Sequence, residues 1–328
     1  MLTPSALVCL PYTPDLIQAG ITYACRARVL AYADLDASPL AALRRVVADK
    51  AVELAFRRYL EAEGVLYRTI RVTAFTDPER YDVEVGGRRC DLRTFPIFRK
   101  AVIPRIQRHP NELLRSLALV PANQIQSPDS SDRDLLVFSF VSGWVAWRSA
   151  ELKRACQMGQ PVFLMYPMSV EWTRPAKWGV LGALTLKLES GPPVVLEVGG
   201  QNAQKVFQVE RVELSAQKAI NLEKSFYSLA YLQVDQLPSG RVGLYSSRLK
   251  KTVVIEPAHW GNIWIADMSM ILMGCIARSE FRQRAVFFSR GSYVWPQGRA
   301  NAEYYALPMD ALYSVASLVE QVRLWSSR

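Results

Sequence analysis

Histidine is nearly missing from this chain of 328 residues, which carries only His109 and His259. Neither stands beside a serine or cysteine in a nucleophile motif. H-E-x-x-H, G-x-S-x-G and a phosphate loop ending in G-K-[ST] are missing as well, so zincin, serine-hydrolase and Walker-type chemistry have no material here. Cysteine is sparse: Cys9, Cys25, Cys90, Cys156 and Cys275 are odd in number, widely spaced and free of any C-x-x-C pattern. That argues against a disulfide framework and a zinc site, and a reducing cytoplasm is the expected location. The first residues, "MLTPSALVCLPYTPDLIQAG", lack a basic opening, and Pro11 and Pro14 cut their apolar run, so no secretory signal is expected. No apolar run reaches the roughly 18 residues of a membrane span, and no membrane partner is expected. Acidic residues are also in short supply, 30 Asp+Glu against 40 Lys+Arg, a net charge of +10 that favours polyanionic partners such as nucleic acid.

Half of the residues are hydrophobic, enough to bury a large core or two ordinary ones. Residues 41–62, "AALRRVVADKAVELAFRRYLEA", are rich in helix formers and carry a broad apolar face, and Gly64 is placed to stop the helix. The alternating, β-branched segment 65–75 reads as a strand, and a hairpin is expected over 80–95. Residues 98–118 read as helical on either side of Pro104 and Pro110. "LLVFSFV" (135–141) is a continuous apolar run of the kind buried on both faces of a sheet. A helix, "VAWRSAELKRACQMG", and a second apolar strand, "PVFLMYP", follow it. This alternation predicts an α/β layer with a mixed sheet over 1–170. Beyond residue 170, short β-type runs separated by Gly, Pro and Asn predict a β-rich α+β domain over 171–328. Within it a helix is expected over 268–285, then the strand "VFFSR", then a last helix over 309–326.

The most informative stretch is "YDVEVGGRRCDLR", residues 81–93. A two-residue turn at Gly86-Gly87 sets the register: Val85 opposite Arg88, Glu84 opposite Arg89, Val83 opposite Cys90, Asp82 opposite Asp91 and Tyr81 opposite Leu92. Alternation then puts Val83, Val85, Cys90 and Leu92 on one face, and Asp82, Glu84, Arg89, Asp91 and Arg93 on the other. Glu84 and Arg89 are expected to form a cross-strand ion pair. Asp82 and Asp91 are like charges within roughly 5 Å, which calls for a cation between them or for screening on a solvated face. A hard divalent ion such as Mg²⁺ takes one or two carboxylates together with water and phosphate oxygens.

A helix bearing "KAVELAFRRYLEAEG", a strand, an aspartate-bearing strand, a tight turn and a D-x-[basic] strand together resemble the core of the restriction-endonuclease-like, PD-(D/E)xK, nuclease superfamily. The resemblance covers roughly residues 40–165 and implies a restriction-endonuclease-like mixed sheet with flanking helices. It further implies Mg²⁺ or Mn²⁺ held by Asp82 and Asp91, with Glu53 on the preceding helix assisting. Arg93 stands where the family has a lysine that positions or activates water. A guanidinium stays protonated, so Arg93 would stabilise developing charge and not act as a base. Either the metal alone activates the water, or Lys50 or Lys100 takes the lysine's role, or the site has lost cleavage and kept binding.

Two readings follow. One is a Mg²⁺-dependent DNA endonuclease of restriction, repair or mobile-element type, with Asp82, Asp91, Arg93 and Glu53 at its centre. The other keeps the fold without the chemistry, as a nucleic-acid-binding or scaffold protein of a defence or repair assembly. In either, Arg99, Lys100, Arg105 and Arg108 are candidate phosphate contacts. The second domain would supply target recognition or a protein partner, and oligomerisation is compatible with both readings. A third class, an interaction protein working through its β-rich half, treats the carboxylates as incidental.

Overall fold

The computed structural model describes residues 2–26, 39–69, 83–125, 131–160, 162–264 and 266–326. Numbered along the chain, the first part holds β1 (Val8–Leu10), α1 (Pro14–Arg26), α2 (Pro39–Ala62), β2 (Tyr67–Thr69), β3 (Val83–Val85), β4 (Arg88–Ile97), α3 (Ile103–Arg108), β5 (Leu117–Pro121), α4 (Ala122–Ile125) and β6 (Leu135–Trp144). The middle part holds α5 (Ser149–Gln157), β7 (Leu164–Pro167), α6 (Val170–Thr173), β8 (Leu184–Leu188), β9 (Val194–Gln201), β10 (Phe207–Leu214), β11 (Ala219–Asn221), β12 (Ser228–Val234), β13 (Val242–Ser246), β14 (Lys251–Ile255) and β15 (Gly261–Asn262). The last part holds β16 (Ala266–Ala277), α7 (Arg278–Arg284), β17 (Val286–Phe288), β18 (Tyr293–Val294), β19 (Gly298–Arg299), β20 (Tyr304–Pro308) and α8 (Val315–Ser326). The architecture is mixed α/β with additional β-rich regions. No described helix is long and apolar enough to cross a membrane.

The chain divides into two compact units, and the division does not follow a single cut after residue 170. The first unit is Met1–Gly20, Ala48–Trp144 and Asp267–Arg328; the second is Ile21–Val47 and Val145–Ala266. In the first, a six-stranded sheet has the order β1-β16-β6-β4-β3-β2. It is mixed: β2 pairs with β3 and β3 with β4 antiparallel, while β4 runs parallel to β6 from Cys90↔Leu135 to Ile97↔Ser142. The continuous apolar run of β6 fits its place between two other strands, and its residues are buried from Leu135 through Gly143. The core around it gathers Phe138, Phe140, Ile106, Ile271, Met273 and Phe281.

A small sheet, β17-β20-β5, completes the first unit, together with the β18–β19 ribbon. Segment 98–118, expected to be helical, is the short α3 and a 3₁₀ turn over Pro110–Arg115, after which β5 begins at Leu117.

Two further corrections concern strands. Residues 268–285 are not one helix: β16 occupies Ala266–Ala277, and only Arg278–Arg284 is helical. The run "MSMILMGCIA" carries three methionines, which favour helices, but the consecutive residues Met270, Ile271, Leu272 and Met273 are all buried, so the strand is covered on both faces and loses the period-2 signature. Strand β7, read as part of the first sheet, instead pairs with β12 and β15 in a five-stranded sheet of the second unit, ordered β10-β9-β12-β7-β15. A four-stranded sheet, β11-β8-β13-β14, accompanies it there. The runs expected to be strands between 182 and 256 are strands in these two sheets.

Candidate functional site

The hairpin forms in the expected register, with Val83↔Cys90, Glu84↔Arg89 and Val85↔Arg88 paired. Gly86 and Gly87 have φ of 57° and 72°, the left-handed pair that a type I′ turn requires and that glycine adopts without steric cost. Val83, Val85 and Cys90 are fully buried on the core face, and burial pushes the Cys90 thiol pKa up. Asp82, and with it the Asp82–Asp91 pairing, lies outside the described residues.

On the other face the charges are arranged differently from the expected cross-strand pair. Glu84 pairs with Arg68 at 2.9 Å, and Arg89 reaches the buried Asp134 at 3.2 Å. Glu84 and Arg68 face each other in the β2–β3 register, which gives the glutamate a cationic neighbour on its own ladder.

Asp91 is only 7% exposed. One of its carboxylate oxygens, Oδ2, accepts from Arg93 two residues along β4 and from Arg278 Nη2 at 3.2 Å. Arg278 opens α7 and is 1% exposed. Its other terminal nitrogen donates to the Gln124 carbonyl at 2.8 Å, while the Gln124 side chain accepts from Arg93. Two guanidinium groups thus converge on one carboxylate, and both also donate to Gln124 of α4. The backbone supports the same corner, since Arg278 N–H donates to the Asp134 carbonyl at 2.8 Å and Ser131 N–H caps the Asp134 side chain at 2.8 Å.

Glu53, buried on α2, is held in the same manner, by Lys50 and Arg57 one turn to either side. Lys50, a candidate for the missing lysine, is therefore engaged with Glu53. These surroundings do not fit a divalent cation at Asp91: it would have to lie against two fixed positive charges, one of them desolvated. Among the described residues no group of three or more His, Cys, Asp or Glu could hold a metal.

The basic segment is the more open feature. Arg99, Lys100, Arg105 and Arg108 are all exposed. Lys100 Nζ lies 4.3 Å from the centre of the Trp144 ring, and the Arg105 guanidinium lies 6.0 Å from that of Trp295. Arg105 also pairs with Glu112, which holds that carboxyl below the usual carboxylate range. Arg108 Nε donates to the Pro104 carbonyl at 3.1 Å, which orients the side chain along α3.

Arg278, Gln124 and Trp295 are missing from the sequence reading. Arg278 lies 187 residues from Asp91 along the chain, in a stretch read as the middle of a helix, so no local pattern could have joined them. Trp144, the last residue of β6, is half-buried beneath Lys100. Comparison with models of protein families, with curated proteins and with solved structures returned no match.

Proposed function

We propose that this chain is a nucleic-acid-binding protein whose first unit is a restriction-endonuclease-like core with its carboxylates committed to structure. The observation that carries the reading is the clasp of Arg93 and Arg278 on Asp91. The D-x-[basic] pair of the family is present as Asp91 and Arg93, but the carboxylate has exchanged a metal for a buried arginine. A lysine in the family's position could lose its proton; an arginine cannot, and here it serves as a counter-ion.

The order of elements supports the choice of core. Helix α2 precedes the antiparallel β2–β3–β4 meander, and β6 returns parallel to β4 after an intervening helix. A crossover connection that carries a helix is the usual route between parallel neighbours. Support for the ligand is the net charge of +10 together with four exposed cations on residues 99–108.

The same order of elements favours a second reading, a Mg²⁺-dependent nuclease centred on Asp82, Asp91 and Glu53. Incubating plasmid and single-stranded DNA with wild-type protein and Asp91→Ala, in Mg²⁺, Mn²⁺ and EDTA, separates the two. Salt-sensitive binding in EDTA without cleavage in either metal is expected of the structural role. Cleavage by the wild type that disappears in Asp91→Ala would establish the nuclease instead.

A further inference from the structure

Strand β17 is an edge of the three-stranded sheet β17-β20-β5, and among the described residues no strand pairs with its outer side. Its three residues, Val286, Phe287 and Phe288, are strong strand formers and as apolar as an exposed edge normally avoids being. Val286 is 65% exposed and Phe287 55%, while Phe288 packs against the buried cluster of Leu119, Val294, Ala300 and Ala306. In an antiparallel ladder alternate N–H and C=O groups face away from the neighbouring strand. The outer side of β17 therefore presents backbone donors and acceptors beside exposed apolar side chains.

The strand complements a second copy of itself. A two-fold antiparallel pairing centred on Phe287 sets Phe287 against its own copy and Val286 against Phe288, the aromatic–aromatic and aromatic–β-branched pairs that stabilise a ladder. Phe287 already faces Tyr305 of β20 in register, with the two rings edge to face and their centres 6.0 Å apart. Directly opposed residues share a face, so joining two copies extends this contact into one aromatic row, Tyr305 and Phe287 of one copy followed by Phe287 and Tyr305 of the other. The same operation brings Arg290, at the end of one strand, to the start of the other, where Arg284 is already matched by Glu280. Arg282 is matched by Asp132. Two of the three arginines that flank the strand are thus neutralised, which permits the approach of an identical chain and offers a polyanion little.

We infer that β17 is a self-association edge, where two copies of this chain join by antiparallel pairing of Val286–Phe288 about a two-fold axis at Phe287. Two-fold pairing is the commonest closed form of self-association, and it covers the apolar edge of both copies at once. Three residues a side make a small join, so the dimer is reversible, with a dissociation constant on the order of 10 μM. The inference is separate from the nucleic-acid reading and is tested without any nucleic acid.

The test is sedimentation velocity of the full chain from about 1 to 100 μM, in EDTA. Wild type should pass from the mass of one chain to that of two across this range. Phe287→Lys, which sets a lysine against its own copy, should weaken dimerisation at least about tenfold. Its circular dichroism should match wild type, because the side chain is mainly exposed. Cysteine cross-linking then checks the register, in a Cys9→Ser background that removes the exposed Cys9 thiol. Cα atoms directly opposed across an antiparallel ladder lie about 4.5–5.5 Å apart, within reach of a disulfide, so Phe287→Cys should form a covalent dimer under mild oxidation. Val286→Cys is more exposed still but roughly 8 Å from its own copy, and should not. A wild type that stays monomeric throughout the range would overturn the inference and leave the edge to a different chain. A dimer that Phe287→Lys leaves unchanged, or equal cross-linking at both positions, would overturn it too. If Phe287→Lys loses its fold, the two cysteine variants decide.

Discussion

Removing Asp91 should destabilise the protein, and the size of the effect follows from what the carboxylate leaves behind. Arg278 is 1% exposed and its Nη2 is 3.2 Å from Asp91 Oδ2. Without the carboxylate a guanidinium stays buried beside a second one from Arg93, and leaving a buried charge uncompensated in this way costs about 3–5 kcal/mol. Arg278→Met should cost less, about 2–3 kcal/mol, because Asp91 retains Arg93 and what is lost is mainly a charged hydrogen bond. The Asp91→Ala, Arg278→Met double variant removes both charges of this pair and should be about 2 kcal/mol more stable than the sum of the single changes implies. The assay is urea unfolding followed by tryptophan fluorescence, performed in EDTA and again with excess Mg²⁺. With a slope of about 3 kcal/mol per molar urea, Asp91→Ala should lower the midpoint by about 1–1.7 M in both buffers. A metal ligand behaves in the opposite way, since removing one of several clustered carboxylates relieves repulsion in EDTA. An Asp91→Ala protein as stable as wild type in EDTA, or weaker only when Mg²⁺ is present, would refute the structural role.

Three further outcomes are expected. Burial pushes the Cys275 thiol pKa up to about 12 and raises that of Cys90 as well, so folding holds both protonated where an unfolded thiol would ionise. Their contribution is complete below about pH 8.5 and declines above it by about 1.4 kcal/mol per pH unit for each thiol; thermal melts from pH 8 to 10 should show this loss, and Cys275→Ala should lessen the slope. In the second unit the buried Glu197 accepts from Tyr231 Oη at 2.7 Å and from Arg211 at 2.6 Å. Tyr231→Phe should cost about 1.5–3 kcal/mol by urea unfolding, the value of a hydrogen bond to a charged group, and a loss below about 0.5 kcal/mol would count against that pairing. Gly298→Ala places a methyl group on the Arg99 guanidinium at a φ that disfavours side chains, so it should destabilise the fold by more than about 1 kcal/mol, read as a lower thermal midpoint, and displace Arg99.

Several elements were readable because local chemistry decides them. The Gly86-Gly87 turn fixed the hairpin register, since two residues at positive φ leave little choice but glycine. Helix α2 was legible through its helix formers, and β6 through an apolar run too short for a helix. Strand β16 was misread for want of any such local arbiter: it is 12 residues long, within helical range, and apolar on both sides because the sheet flanks it. That error also concealed Arg278, whose place at the strand-to-helix junction is what brings it to Asp91. The sequence presented Asp91 and Arg93 as half of a metal site because the family pattern is written in neighbouring residues. The residue that converts the pattern into an ion-pair clasp arrives through tertiary structure alone.

The central claim is that exposed cations on residues 99–108 bind nucleic acid without a metal. The most direct measurement is the affinity of the full chain for a labelled single-stranded oligonucleotide across a salt series in EDTA. Four phosphate contacts predict that the logarithm of the binding constant falls linearly with the logarithm of salt, with a slope of about −3, and that Lys100→Ala with Arg108→Ala reduces the slope by about half. Binding that is absent in EDTA and restored by Mg²⁺, or a slope unchanged by the double substitution, would contradict it.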